Sequence, residues 1–219
     1  MLTLSSVILS LEMTAQMSSL PTVPATAPEE TPLGALAMPG KILELSGAGA
    51  SACVTTAAAI LRETQRAGET AAWLQCEDGD LFPPDLAEAG VELEELIVIH
   101  VPKTRRRALE LVRAGELLLS SGAFGLLIID FGRFCPRDQR SSWQLRLARL
   151  ARQHGSRVVI LTQKPDHHHS AGPLVHLRVA PTRARRREGG FEVIPRVLKH
   201  KAGLQRVGAE RHRAPAGHH

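Results

Sequence analysis

From residue 41 onward, short continuous apolar runs alternate with stretches of helical periodicity, and this alternation limits the fold more than any other feature. The strand candidates are 41–45, 71–75, 96–101, 125–130 and 157–162, and the helical patterns lie near 54–67, 84–89, 104–121 and 140–154. The strand runs are apolar throughout and rich in β-branched residues, as expected when both faces of a sheet are covered. Strand alternating with helix implies a parallel sheet in a three-layer α/β domain. Gly68, Gly122 and Gly155 follow three of the helical patterns, where a helix-ending glycine belongs. After residue 163 the pattern changes. Residues 164–173 (KPDHHHSAGP) read as a flexible loop, and 174–180 and 191–199 read as two strands joined by a basic turn over 183–190. Such a hairpin implies an antiparallel C-terminal edge.

The chain of 219 residues is long enough for one medium domain with tails. Residues 1–40 read as an N-terminal arm and Pro-rich linker, 41–203 as the domain, and 204–219 as a basic flexible tail. The opening MLTLSSVILSLEMTAQ has no basic n-region and carries Glu12, which argues against a signal peptide. It reads either as a short docking helix or as sequence upstream of a later start at Met13 or Met17. No apolar run reaches the ~18 residues of a membrane helix. Cys53, Cys76 and Cys135 are an odd set without metal-ligand spacing, so reduced thiols in the cytoplasm are expected.

Charge is segregated along the chain. Residues 1–100 carry three Lys or Arg against fourteen Asp or Glu, a net of −11, and residues 101–219 carry a net of +16. A basic face or tail that meets a polyanion or an acidic protein follows from this polarity. The best candidates are Arg183, Arg185, Arg186 and Arg187 in the basic turn and Arg206, Arg211 and Arg213 in the tail. No aromatic residue is interleaved among them, so sequence-blind, salt-dependent binding is expected rather than base readout. Arg105, Arg106 and Arg107 open a helix, where the dipole disfavours cations, and that placement hints at a binding role.

Between the first strand and the first helix lies SGAGASACVTT (46–56), a phosphate-binding loop whose working residues are replaced. The pattern G-x-x-x-x-G-K-[ST] keeps its first glycine at Gly47, but Ala52, Cys53 and Val54 stand at the glycine, lysine and hydroxyl positions. Thr55 lies one place beyond the hydroxyl position. Loss of the lysine removes a charge-assisted contact of ~1.5–3 kcal/mol, and Ala52 adds a Cβ where backbone must approach closely. Weak nucleotide binding is the expectation. Cys53 reads as a small replacement for lysine rather than a reactive thiol. No Ser-His-Asp set, CxxC pair or HExxH motif is present, and His167, His168 and His169 diverge too much to chelate one ion. On these grounds no catalytic residue, no metal and no cofactor is assigned, and the chain is expected not to be an enzyme.

The order of the segments resembles the core of the RecA-type recombinases. The resemblance rests on LFPPDLAEAGVELEELIVIHVP (81–102), ALELVRAGELLLSSGAFGLLIIDF (108–131), LTQ (161–163) and VLKHKAG (197–203), and it covers about residues 41–203. Within that fold the chain is most similar to the ImuA-type group, RecA-like and SulA-like accessory proteins of bacterial SOS mutagenesis. The resemblance implies a RecA-like core in which Asp130 is a Walker-B-like remnant and Glu77 stands at the water-activating acid. It places Lys199 and Lys201 at the pair that reaches toward a neighbouring subunit's phosphates. The implied role is accessory or regulatory, in damage-induced translesion synthesis. The implied partners are RecA, an inactive Y-family-like polymerase partner, an error-prone replicative-type polymerase, and DNA bound non-specifically. The alternatives are a residual ATP-dependent recombination protein and a SulA-like cell-division inhibitor.

Overall fold

A computed structural model of the chain describes residues 31–49, 51–79, 81–136, 142–187, 190–202 and 207–212. Its spine is an eight-stranded sheet formed by β1 (Ile42–Gly47), β2 (Ala71–Cys76), β3 (Leu96–Val101), β4 (Leu126–Gly132), β5 (Arg157–Gln163), β6 (Val175–Arg185), β7 (Phe191–His200) and β8 (Glu210–His212). The spatial order is β3-β2-β4-β5-β1-β6-β7-β8. The pairings from β3 through β6 are parallel, and β6–β7 and β7–β8 are antiparallel. The expected α/β class, with a mainly parallel sheet and an antiparallel C-terminal edge, is therefore the one observed.

Helices cover both faces. One face carries α1 (Cys53–Arg66) and α2 (Pro83–Glu88), and the other carries α3 (Arg107–Ser120) and α4 (Ser142–His154). This explains why the parallel strands are apolar toward both faces over most of their length. On β4, Leu126 and Ile128 pack toward α1, while Leu127 and Ile129 pack toward α3 and α4. With no tyrosine and few aromatics, the interior relies on Leu, Ile, Val and Ala, filled out by the buried Trp73 on one face and Trp143 on the other. The glycines at 68, 122 and 155 take φ of +72°, +70° and +68° at the helix ends, as expected.

Three expectations are corrected. The linker reading of 1–40 leaves Leu33 and Leu36 outside the domain, yet both are buried against α1 through a 3-10 turn over 33–35. Apolar side chains spaced three apart let one turn seal the end of that layer. Residues 1–30 lie outside the described residues. The tail reading of 204–219 is corrected at 207–212. Val207 packs against the core and bridges to Thr31, and β8 pairs with β7, with Arg62 of α1 donating to Glu210 at 3.4 Å. Residues 203–206 and 213–219, with the candidates Arg206 and Arg213, lie outside the described residues.

The third correction concerns 164–173, which is held from below rather than flexible. Glu44 is charged, fully buried on β1, and faces away from α1. Lys164 Nζ meets its Oε1 at 2.5 Å, Thr162 Oγ1 donates to it at 2.9 Å, and the Ala171 backbone N–H donates at 2.8 Å. The buried Arg178 on β6 donates to the carbonyls of Pro165, Asp166 and His168 and to Ser46 Oγ. Gln144 of α4 takes both ends of the next turn, donating to Ala171 O and accepting from Leu174 N. A buried charge with satisfied partners fixes geometry even where its net stabilisation is small.

Candidate functional site

At the carboxyl ends of β1, β2, β4 and β5 lies a cleft of about 390 Å³, where ligands of open parallel sheets bind. The loop after β1 forms one wall. Gly47 and Val54 line the cleft, and a Cβ at Gly47 would sit 2.4 Å from the Cβ of Ser51, so this position is closed to other residues. Ala52 is buried, and its N–H donates to Pro181 O of β6 at 2.9 Å rather than into the cleft. Next to it, Ser51 makes an antiparallel bridge with Thr182. The β6–β7 hairpin is thus fastened to the phosphate-type loop by backbone pairing.

Cys53, at the lysine position, is buried, and burial pushes its thiol up to about 11. It stays protonated and neutral at physiological pH, which fits its reading as a small replacement. Thr55 Oγ1 accepts a hydrogen bond from Arg183 at 2.8 Å, and Arg183 also lies over the ring of Phe191, 4.7 Å from its centroid. The loop does not fit a magnesium ion: Val54 stands at the hydroxyl-ligand position, and the Thr55 hydroxyl is engaged by a guanidinium.

Asp130 is half-buried at the end of β4 and lines the cleft, with its Oδ1 accepting from the Gly132 N–H at 2.9 Å. Glu77 does not line the cleft. Its carboxylate accepts from the Lys103 backbone N–H at 3.4 Å, and its neighbour Asp78 faces the cleft instead. The structure therefore brings Gly47, Cys53, Val54 and Asp130 together and leaves Glu77 outside. Arg107, from the first turn of α3, enters the same cleft. It donates to Asp78 Oδ2 at 3.3 Å, and its guanidinium carbon lies 3.6 Å from the centroid of Phe134. Arg133, the other arginine of the lining, donates to Gln163 Oε1 at 2.7 Å.

The basic candidates divide. β6 continues to Arg185, so Arg183 and Arg185 are strand residues rather than part of a turn, and Arg186 and Arg187 lie just beyond the strand. Arg185 and Arg187 are exposed, as is Arg211 on β8, which lies opposite Glu192. The absence of an aromatic among these residues is also corrected: Phe191 lies under Arg183 and stacks on His212 with ring centroids 5.3 Å apart. Engaged by both side chains, it holds Arg183 rather than offering a platform for a base. Lys199 is turned onto its own chain, donating to Gly172 O at 2.9 Å, and burial lowers its amine's pKa. Lys201 is exposed just beyond β7.

The sequence reading missed Glu44, Lys164, Arg178 and Gln144. A signal existed for the first, since a carboxylate inside an apolar strand run has to find buried partners. Among the described residues no cluster of three or more His, Cys, Asp or Glu is placed to hold a metal, and no helix is long and apolar enough to cross a membrane.

Among known families, the RecA N-terminal domain matches residues 5–139. The RecA protein of Clostridium novyi is 36% identical over 91 residues, which is 42% of this chain and 25% of the relative. The RecA protein of Thermus thermophilus is 36% identical over 91 residues with the same coverage. The RecA protein of Colwellia psychrerythraea is 32% identical over 99 residues, 45% of this chain and 27% of the relative. The matched part thus spans about a quarter of these relatives' length. They correct the expectation that the chain is not an enzyme: the relatives are RecA proteins, an ATPase family, and none of them points to a non-enzymatic one.

Proposed function

Because this chain belongs to the RecA N-terminal domain family, we propose that it acts in DNA repair as a RecA-type accessory protein of damage-induced mutagenesis. In this reading it engages RecA on DNA and the polymerase partners of translesion synthesis, and it shifts the balance from recombination toward lesion bypass. The observation that carries the proposal is the fastening of the basic β6–β7 hairpin to the phosphate-type loop, through Ala52 N to Pro181 O at 2.9 Å and the Ser51–Thr182 bridge. That pairing holds Arg183, Arg185, Arg186 and Arg187 as an arm beside the cleft. An arginine fork suits phosphate and carboxylate alike, so both DNA and an acidic protein surface are within its chemistry.

The test is the frequency of damage-induced mutation in cells carrying Arg183→Gln, Arg185→Gln and Arg187→Gln together. The expected result is a fall to the level of a strain lacking the gene. An unchanged frequency, with the variant present at normal abundance, rules the arm out of the role.

A second reading is favoured by the retained cleft with Asp130 at its edge: an ATP-dependent recombination protein. Strand exchange by the purified chain with magnesium and ATP would support it over the accessory role. A SulA-like division inhibitor would instead make undamaged cells filament on overexpression.

A further inference from the structure

The cleft has lost the cation that its loop would supply, yet it contains one from elsewhere. Arg107 enters from the first turn of α3, a position with no helical advantage. Its helix has Arg106 as N-cap without a side-chain cap bond, and a cation there opposes the dipole. Its side chain is only 17% exposed. It lies over Phe134, with the guanidinium carbon 3.6 Å from the ring centroid, which keeps the cation at the cleft wall.

Its ion pair does not use it up. Asp78 also receives Lys103 Nζ, at 2.9 Å against 3.3 Å for Arg107, and the Lys103 hydrogen bond is the leading cause of the lowered Asp78 pKa. Arg107 can turn its fork toward a ligand while Asp78 keeps a cation. Among the described residues no cation stands on the loop side of the lining, where Cys53 is a neutral thiol and Arg183 donates to Thr55. A second, independent observation points to a missing ligand. Gln75 lines the same cleft at 2% exposure, and its Oε1 has no hydrogen-bond partner. A carboxamide buried in that way lacks a group to bond, and with its amide flipped it turns an N–H, the donor an anion needs, to the position the oxygen now holds.

We propose that Arg107, seated on Phe134, is the anion-binding cation of this cleft, and that the cleft takes a small phosphate-bearing ligand through it and Gln75 rather than through a loop lysine. The cation of the site has moved from the loop after β1 to the head of α3. This inference is independent of the accessory reading; an Arg107 variant that binds as wild type would leave both readings standing, whereas absence of magnesium ATP binding would also count against the ATP-dependent one.

Calorimetry on the full chain tests it, with sodium tripolyphosphate in one arm and magnesium ATP in the other. Binding is expected in at least one arm. Equal affinity in the two identifies the phosphate chain as the ligand, and tighter ATP binding identifies a nucleoside phosphate. Arg107→Gln should weaken binding about tenfold or more, as loss of a charge-assisted fork implies. Arg107→Lys should fall between wild type and Arg107→Gln, and it decides the matter if the glutamine variant does not fold. Arg66→Gln, at the end of α1 and outside the cleft, should bind as wild type. Absence of binding in both arms at millimolar ligand overturns the proposal. So does an Arg107 variant that is folded by circular dichroism and binds as tightly as wild type.

Discussion

Glu44 and Lys164 decide how the loop over 164–173 is held. The carboxylate is fully buried, and the ammonium is 16% exposed. Removing one partner leaves the other charge stranded, so Lys164→Ala should cost about 3–5 kcal/mol in urea unfolding. Replacing both residues with leucine should recover much of that loss, because the desolvation penalty disappears with the charges. If the single and double variants are equally destabilised, the pair is not the anchor. Cys53 makes a pH prediction of definite sign. Burial raises its thiol from 9.0 to about 11, and burial likewise raises Cys135 to about 12. The folded chain therefore holds protons that the unfolded chain releases above pH 9, and stability should fall as pH rises from 9 toward 11. Cys53→Ala should flatten that slope, and an unchanged slope would show that the thiol is not buried as described.

At the scale of elements, the parallel strands and most of the helices were legible in the sequence, because continuous apolar runs and helix-ending glycines are local signals. What the sequence hid was long-range. The bond from Ala171 N to Glu44 spans 127 positions, and the one from Arg183 to Thr55 spans 128, so no window of periodicity contains either. The hairpin shows the same limit. Pro181 reads as a strand breaker, yet β6 runs through it because Pro181 and Pro195 sit opposite each other and the Pro181 carbonyl is taken by Ala52. The loop's lost lysine was visible, but its surroundings were not: an arginine entering from α3 cannot be seen from the loop. The hairpin predicts a salt effect. Each exposed arginine that meets a phosphate of single-stranded DNA contributes a slope of about −0.7 in log K against log salt. Arg185→Gln with Arg187→Gln should therefore shallow the slope by about 1.4. An unchanged slope, measured by anisotropy, would remove these residues from any DNA contact.

At the scale of the whole molecule, the two edges of the sheet carry different flanking charges. β3 and its flanking Glu92, Glu94 and Glu95 form one edge, and the arginine-bearing β6, β7 and β8 form the other. The parallel core between them keeps the RecA-family framework, with Asp130 and the cleft at the strand ends and the hairpin fastened to the loop beside them. On this account the framework presents a basic arm to a nucleoprotein partner. The most direct test is co-sedimentation of the purified chain with RecA filaments assembled on single-stranded DNA. The account predicts that wild-type chain sediments with the filaments and that the variant neutralised at Arg183, Arg185 and Arg187 stays in the supernatant. Equal sedimentation of the two, or none by the wild type, would contradict it.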